Sequence, residues 1–248
     1  NWYHNYVCPE HGARLRNGDR IGEWSWEHQC PVGPHTLRGD PAIGARDFDG
    51  CVIAEIHGGL AAQARDAGLA WAVTGEERYA ERAAQIVRAY TSAYMTYPRH
   101  DNQGRPVRSP GAGGRVASQP LSEATWLVPL LHGADFVWTR LAEEDRHRFE
   151  SNLVRVAIAE TIRNPDARPC VHNIQCHRNS AIALAGFLLG DTNLVHEAIH
   201  GRHGWHTNLT YGVNADGAWF EGAWGYHAYT LQALWPLAEA ARHAGINL

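Results

Sequence analysis

The stretch His172-Asn173-Ile174-Gln175-Cys176-His177-Arg178-Asn179-Ser180-Ala181-Ile182-Ala183-Leu184-Ala185-Gly186-Phe187-Leu188-Leu189-Gly190 decides the fold. It opens on a dense polar cluster and runs into small and apolar residues with no alternation. That pattern predicts a buried helix over roughly 175–189, stopped by Gly190-Asp191. A helix apolar on every side needs other helices around it, so it belongs at the centre of a helical layer.

The same periodicity extends both ways. Leu60, Ala64, Ala67 and Trp71 share one face of a helix that begins near His57. Thr74-Gly75 marks a turn, and Tyr79, Ala83, Ile86, Val87 and Tyr90 give the returning helix its apolar face. Residues 97–118 are rich in Pro, Gly, Arg and Ser and form a long loop. Ser122 is placed to cap the next helix, whose stripe runs from Trp126 to Val137 and contains Pro129, a residue that kinks or delays a helix. A fourth helix covers about 143–162. Asn164-Pro165-Asp166-Ala167-Arg168-Pro169 breaks the chain. After the central helix come a short one at about 192–201, a Gly/Asn-rich stretch, and a last helix at about 223–243. Residues 1–50 lack helical periodicity and read as an irregular segment with a short hairpin. The expected architecture is all-α: antiparallel helix hairpins at 51–248, with residues 1–50 packed on them.

Composition narrows the function. A net charge of -4 over 248 residues argues against nucleic acid as a partner. No apolar run reaches the ~20 residues of a membrane span. Sixteen histidines and ten tryptophans supply imidazoles and flat apolar faces, the latter suited to stacking on sugar rings. Phosphate-loop, nucleophile-elbow, dinucleotide and His-Glu-x-x-His motifs are missing. The chain opens at Asn1 without methionine, as a processed or excerpted sequence would.

Four clusters carry candidate chemistry. The first is 172–179, where imidazole and amide donors at a helix start favour an anion; helix capping is its plainer explanation. The second is Asp216-Gly217-Ala218-Trp219-Phe220-Glu221-Gly222-Ala223-Trp224-Gly225-Tyr226-His227, joining a turn, aromatics, a carboxylate and an imidazole. The third is Gln119 and Glu123, following Arg99, His100, Arg105, Arg108 and Arg115. The fourth is Cys8-Pro9-Glu10-His11 with Cys30-Pro31 and His35, a loose set for a structural zinc with Cys8, His11 and Cys30 as its candidate ligands; with five cysteines in the chain, free thiols or one disulfide are favoured over a metal.

Taken together, Gln119-Pro120-Leu121-Ser122-Glu123-Ala124-Thr125-Trp126-Leu127, Asn173–Ala181, Asp216–Gly222 and Tyr226-His227 resemble the heparinase II/III and oligoalginate lyase group of polysaccharide lyases. Leu69–Gly75 and the opening Trp2–Pro9 add to the likeness. The resemblance implies an incomplete (α/α) toroid. It also implies a C-terminal β-sandwich, which is expected to fall outside these 248 residues, either because they are an excerpt or because this is a reduced member. It further implies β-elimination on a 4-linked uronic-acid polymer, alginate-type or heparan-type, without a required cofactor. A periplasmic or secreted location is favoured over the cytoplasm.

Such chemistry needs the uronate charge neutralised, the C5 proton removed and the leaving O4 protonated. The resemblance implies Asn173 and His172 as neutralisers and Tyr226 for proton transfer. They lie 53 and 54 positions before it, against 49 for His177, which takes a supporting role. Tyr229 is the reserve. Phenols titrate near ~10, so nearby cations would be needed for a tyrosine base. Gln119, Glu123, Arg115, Arg99, His100, Glu221, Trp224 and His227 are then expected to line the substrate groove. A hydrolase on a similar toroid, using Asp216 and Glu221, and a non-catalytic sugar-binding protein stay open as alternatives.

Overall fold

The computed structural model describes residues 4, 6–38, 47–108, 113–163 and 171–248. The expected break at 164–169 and the residues Trp2, Tyr3 and Asn5 lie outside them. Three short strands, β1 (Arg16–Gly22), β2 (Ser25–Gln29) and β3 (Thr36–Arg38), form an antiparallel sheet in the order β1-β2-β3. The expected hairpin is therefore a three-stranded meander. Register shifts between Asn17 and Arg20 and between Arg20 and Gly22 interrupt β1, which is why its sequence shows no clean alternation.

The helices follow. Helix α1 (Phe48–Thr74) starts nine residues before His57, because Asp47 caps it by accepting the Gly50 N–H at 2.8 Å. Gly75 ends it at φ 70, a conformation that favours glycine. Helix α2 (Glu77–Ala93) returns along it. Helix α3 (Pro120–Phe136) begins with Gln119 as its cap residue and Pro120 in the first turn, so Ser122 is not the cap. Helix α4 (Glu143–Phe149) continues through a π-turn at Glu150–Val154, the short α5 (Arg155–Ala157) and a second π-turn at Ile158–Ile162. Helices α6 (Asn173–Leu189), α7 (Thr192–His200), α8 (Trp205–Gly212) and α9 (Trp224–His243) complete the order. Helix α8 occupies what reads in sequence as a Gly/Asn-rich loop.

Helices α1, α3, α6 and α9 pack side by side as an inner row, with α2 against α1 and α7 against α6 on the outside. The inner helices run parallel. A Cβ on Gly133 would sit 2.7 Å from the Ala64 carbonyl carbon, and one on Gly68 would sit 2.8 Å from Phe136 Cβ, so α1 and α3 advance together at close range. Between α6 and α9, Ser180 donates to the Ala233 carbonyl, while Asn173 meets Glu221 just ahead of α9. This is the geometry of an incomplete α/α toroid. One large apolar core joins the inner and outer helices, and Leu127, Leu130, Leu131, Phe149, Leu153 and Ile162 are sealed inside it. A separate cluster of Tyr6, Cys8, Leu15, Trp26, Cys30 and Phe48 lies between the sheet and the start of α1.

Candidate active site

Parallel packing brings the starts of α6 and α9 to the same rim. His172 is the extended cap residue of α6, and its Nδ1 accepts the Ile174 N–H at 3.2 Å. An accepting Nδ1 puts the proton of a neutral ring on Nε2. That atom faces Glu221 Oε1 at 3.5 Å. Glu221 collects three stronger donors: the Asn173 N–H at 3.0 Å, Asn173 Nδ2 at 2.7 and 2.8 Å, and Trp219 Nε1 at 2.6 Å. Burial raises the Glu221 carboxyl, but the bonds from Trp219 and Asn173, with the nearby His172, outweigh it and hold the group below the usual range.

This geometry pairs two of the expected site residues with each other. Asn173 is only 2% exposed, and its amide already holds a carboxylate of the chain itself. It positions Glu221 and the α6 start and does not present a free amide. Glu221, 13% exposed, accepts these bonds from within the chain. His172 keeps over a third of its side chain exposed.

The α9 side of the rim is open. Trp224 is 84% exposed and Tyr226 50% exposed. His227 accepts the Trp219 N–H on Nδ1 at 3.1 Å and meets the Trp224 ring edge-on at 5.6 Å. It clamps the 219–224 turn onto the helix it belongs to. Asn208 of α8, fully buried, accepts the His172 N–H at 3.2 Å and donates to the carbonyls of His203 and Gly204. It ties the α6 start to α8. Sequence reading missed it together with its helix.

One turn deeper, His177 packs its ring on Tyr229 with centroids 4.2 Å apart. Burial pushes His177 down to about 4, and its Nε2 lies buried without a hydrogen-bond partner among the described residues. Burial also raises Tyr229. Both line a cavity of about 740 Å³ between the inner helices, with Arg65, His132, Gln232 and Trp235.

The basic loop goes elsewhere. Arg115 bonds Glu160 Oε2 at 3.0 Å and the Tyr97 carbonyl at 2.8 Å, and Arg99 reaches the Glu160 carbonyl at 3.3 Å. Arg115 and His100 line a second cavity, of about 290 Å³, with His57, Tyr97 and Asp47. Gln119 Nε2 donates back to Ser122 Oγ at 3.2 Å. Glu123 is fully buried, so it lines no open groove. It accepts the Tyr94 O–H at 2.7 Å and the N–H groups of Ala117 and Val116 at 2.7 and 3.2 Å. Burial raises its pKa against those bonds. It anchors the loop to α3.

A row of parallel inner helices, an outer layer and a polar rim at the helix starts define an α/α-toroid protein. Residues 57–248 match the family model described as alginate lyase. Over 173 residues, 67% of this chain, the sequence is 31% identical to an exo-oligoalginate lyase of Saccharophagus degradans, of which that segment is 23%. Over 171 residues, 66% of this chain, it is 27% identical to an alginate lyase of Stenotrophomonas maltophilia, of which it is 22%. The chain belongs to the alginate lyase family. The matched segment spans less than a quarter of either relative.

Proposed function

We propose that this chain carries the rim of a lyase site that cleaves a 4-linked uronic-acid polymer of the alginate type by β-elimination. The observation that carries the reading is the pairing, at one rim, of an imidazole held by its own helix start with an accessible Trp224–Tyr226 pair. Family membership and the names of its relatives support it.

In this reading the substrate carboxylate lies against His172. The Nδ1 contact keeps the ring proton on Nε2, and that proton turns from its long 3.5 Å contact with Glu221 Oε1 to the substrate carboxylate, stabilising the charge that builds when C5 loses its proton. Tyr226 moves the proton. The electron pair left at C5 forms the C4=C5 double bond, and O4 departs with a proton as the new hydroxyl end. No water is consumed. Trp224 offers its indole face to a neighbouring sugar ring. His177 and Tyr229 shape the deeper wall, and no cofactor enters any step.

The test is a panel of alginate oligomers, heparan-type chains and other uronates, followed by the ultraviolet absorbance of the unsaturated product. Alginate-type substrates should respond. Tyr226→Phe and His172→Ala should each lower kcat at least about 100-fold, while Trp224→Ala should mainly raise KM. Near-full elimination by Tyr226→Phe would sink the assignment. A saturated product would favour the hydrolase reading, and a response only to heparan-type chains would move the substrate class.

A further inference from the structure

Ahead of the helices, two tight turns share one plan. In the first, the Cys8 N–H donates to the Ala13 carbonyl and the Gly12 N–H to the Cys8 carbonyl, both at 2.8 Å. In the second, the Cys30 N–H donates to the His35 carbonyl at 2.9 Å, and Cys30 Sγ accepts the N–H groups of Val32 and Gly33. Each turn starts on a buried cysteine and carries a histidine three or five positions later.

The turns face each other. Cys8 Sγ lies 3.7 Å and Cys30 Sγ 3.6 Å from the same atom, His11 Nδ1. The ligand atoms of Cys8, His11 and Cys30 all fall within 4.8 Å of one another, and so do those of Glu10, His11 and His35. The His11 and His35 rings are 5.1 Å apart. A Cβ on Gly33 would stand 2.7 Å from His11 Cε1 and 3.0 Å from His35 Cδ2, so a bare glycine lets both imidazoles in.

A ring nitrogen has one lone pair or one proton, and two thiols cannot both bond to it well. A metal ion resolves the convergence. Zn–S of about 2.3 Å and Zn–N of about 2.0–2.1 Å at a tetrahedral angle put S and N about 3.5–3.6 Å apart. The two observed separations fall within about 0.2 Å of that edge, the tolerance expected of a real site.

We propose that Cys8, His11 and Cys30 form the protein side of a site for a thiophilic divalent cation of the zinc class. Two thiolates and an imidazole set between two turns suit an ion that holds structure. It fastens the 8–13 turn to the 30–35 turn beside the apolar cluster under the sheet. The site lies ahead of the residues matched by the family model and does not depend on the lyase reading.

The test is elemental analysis of protein purified without added metal, with about one zinc per chain expected. Cobalt exchanged into the site should give the visible bands of a tetrahedral thiolate complex. Cys8→Ser and His11→Ala should cut bound metal at least about tenfold, while Cys51→Ser, in the same apolar cluster, should keep it. Because misfolding alone releases metal from a variant, wild-type protein is also alkylated before and after chelation. Cys8 and Cys30 should be protected before and reactive after. Metal-free protein that gives no cobalt spectrum, a Cys8–Cys30 disulfide, or full metal retention by Cys8→Ser would each overturn the proposal.

Discussion

Replacing Glu221 by glutamine isolates the charge at the rim from its shape. Oε2 receives three donors, from the Asn173 backbone and amide and from the Trp219 indole, at 3.0, 2.7 and 2.6 Å. A glutamine can put its carbonyl oxygen there. Its amide then occupies the Oε1 position, facing Asn173 Nδ2 across the present 2.8 Å, donor against donor. Hydrogen bonds to a charged acceptor are worth about 1.5–3 kcal/mol and neutral ones about 1. Neutralising three costs at least about 0.5 kcal/mol each and losing one at least about 1.5, so the total is at least about 3 kcal/mol. At about 2–4 °C per kcal/mol for a chain of this size, Tm should fall by at least roughly 6–12 °C. The pH dependence adds a second check. The folded carboxyl titrates below the unfolded one, so its contribution is present above about pH 4.3 and is lost as pH falls through the folded value. The gap between wild type and Glu221→Gln, measured by calorimetry from pH 7 to 3, should therefore close in acid. A Tm shift under about 1 °C at pH 7, or a gap that stays constant into acid, would refute the reasoning.

His177 is held down to about 4 by burial, below its unfolded value of about 6.5, so its contribution is present above pH ~6.5 and drains away as pH falls toward 4. His177→Gln should flatten that limb in urea unfolding at pH 7 and 4.5; an unchanged limb would assign it to another group. Tyr94→Phe removes the 2.7 Å donor to buried Glu123 and should cost about 2 kcal/mol in denaturant unfolding, with a loss under 0.5 kcal/mol counting against the anchor role. Gly133→Ala should destabilise by about 1–3 kcal/mol, because its methyl meets Ala64 at under 3 Å. That sign opposes the roughly 1 kcal/mol gain that alanine gives an open helix position, so a stabilised variant would show that α1 and α3 are not so close.

What the sequence made legible follows the range of the signal. The central helix was readable because seventeen residues carry one message, from the His172 cap to the Gly190 stop. The rim cluster was readable as a set of residue types. Its internal pairing was not, because Asn173 and Glu221 are 48 positions apart and nothing local says that the amide is already taken. Glu123 misled for the same reason: a glutamate in a polar helix start reads as exposed, and the Tyr94 hydroxyl that lets it be buried comes from 29 positions earlier. Helix α8 escaped notice because its eight residues, Trp-His-Thr-Asn-Leu-Thr-Tyr-Gly, are mostly poor helix formers and are held by tertiary contacts such as those of Asn208. Strand β1 was hidden by its irregular register and its exposed, charged side chains.

Asp49 sits in the first turn of α1, yet its partners belong to the sheet. It accepts from Ser25 Oγ at 2.9 Å and the Trp26 N–H at 3.0 Å, and lies 3.0 Å from His28 Nε2, whose other ring nitrogen meets the Tyr6 hydroxyl at 2.8 Å. A fragment cut to the family match, starting at residue 57, would sever α1 nine residues inside its own length and discard this knot. The smallest piece worth expressing therefore begins ahead of Tyr6. Where similarity to relatives fades and where the molecule can be cut are two different boundaries.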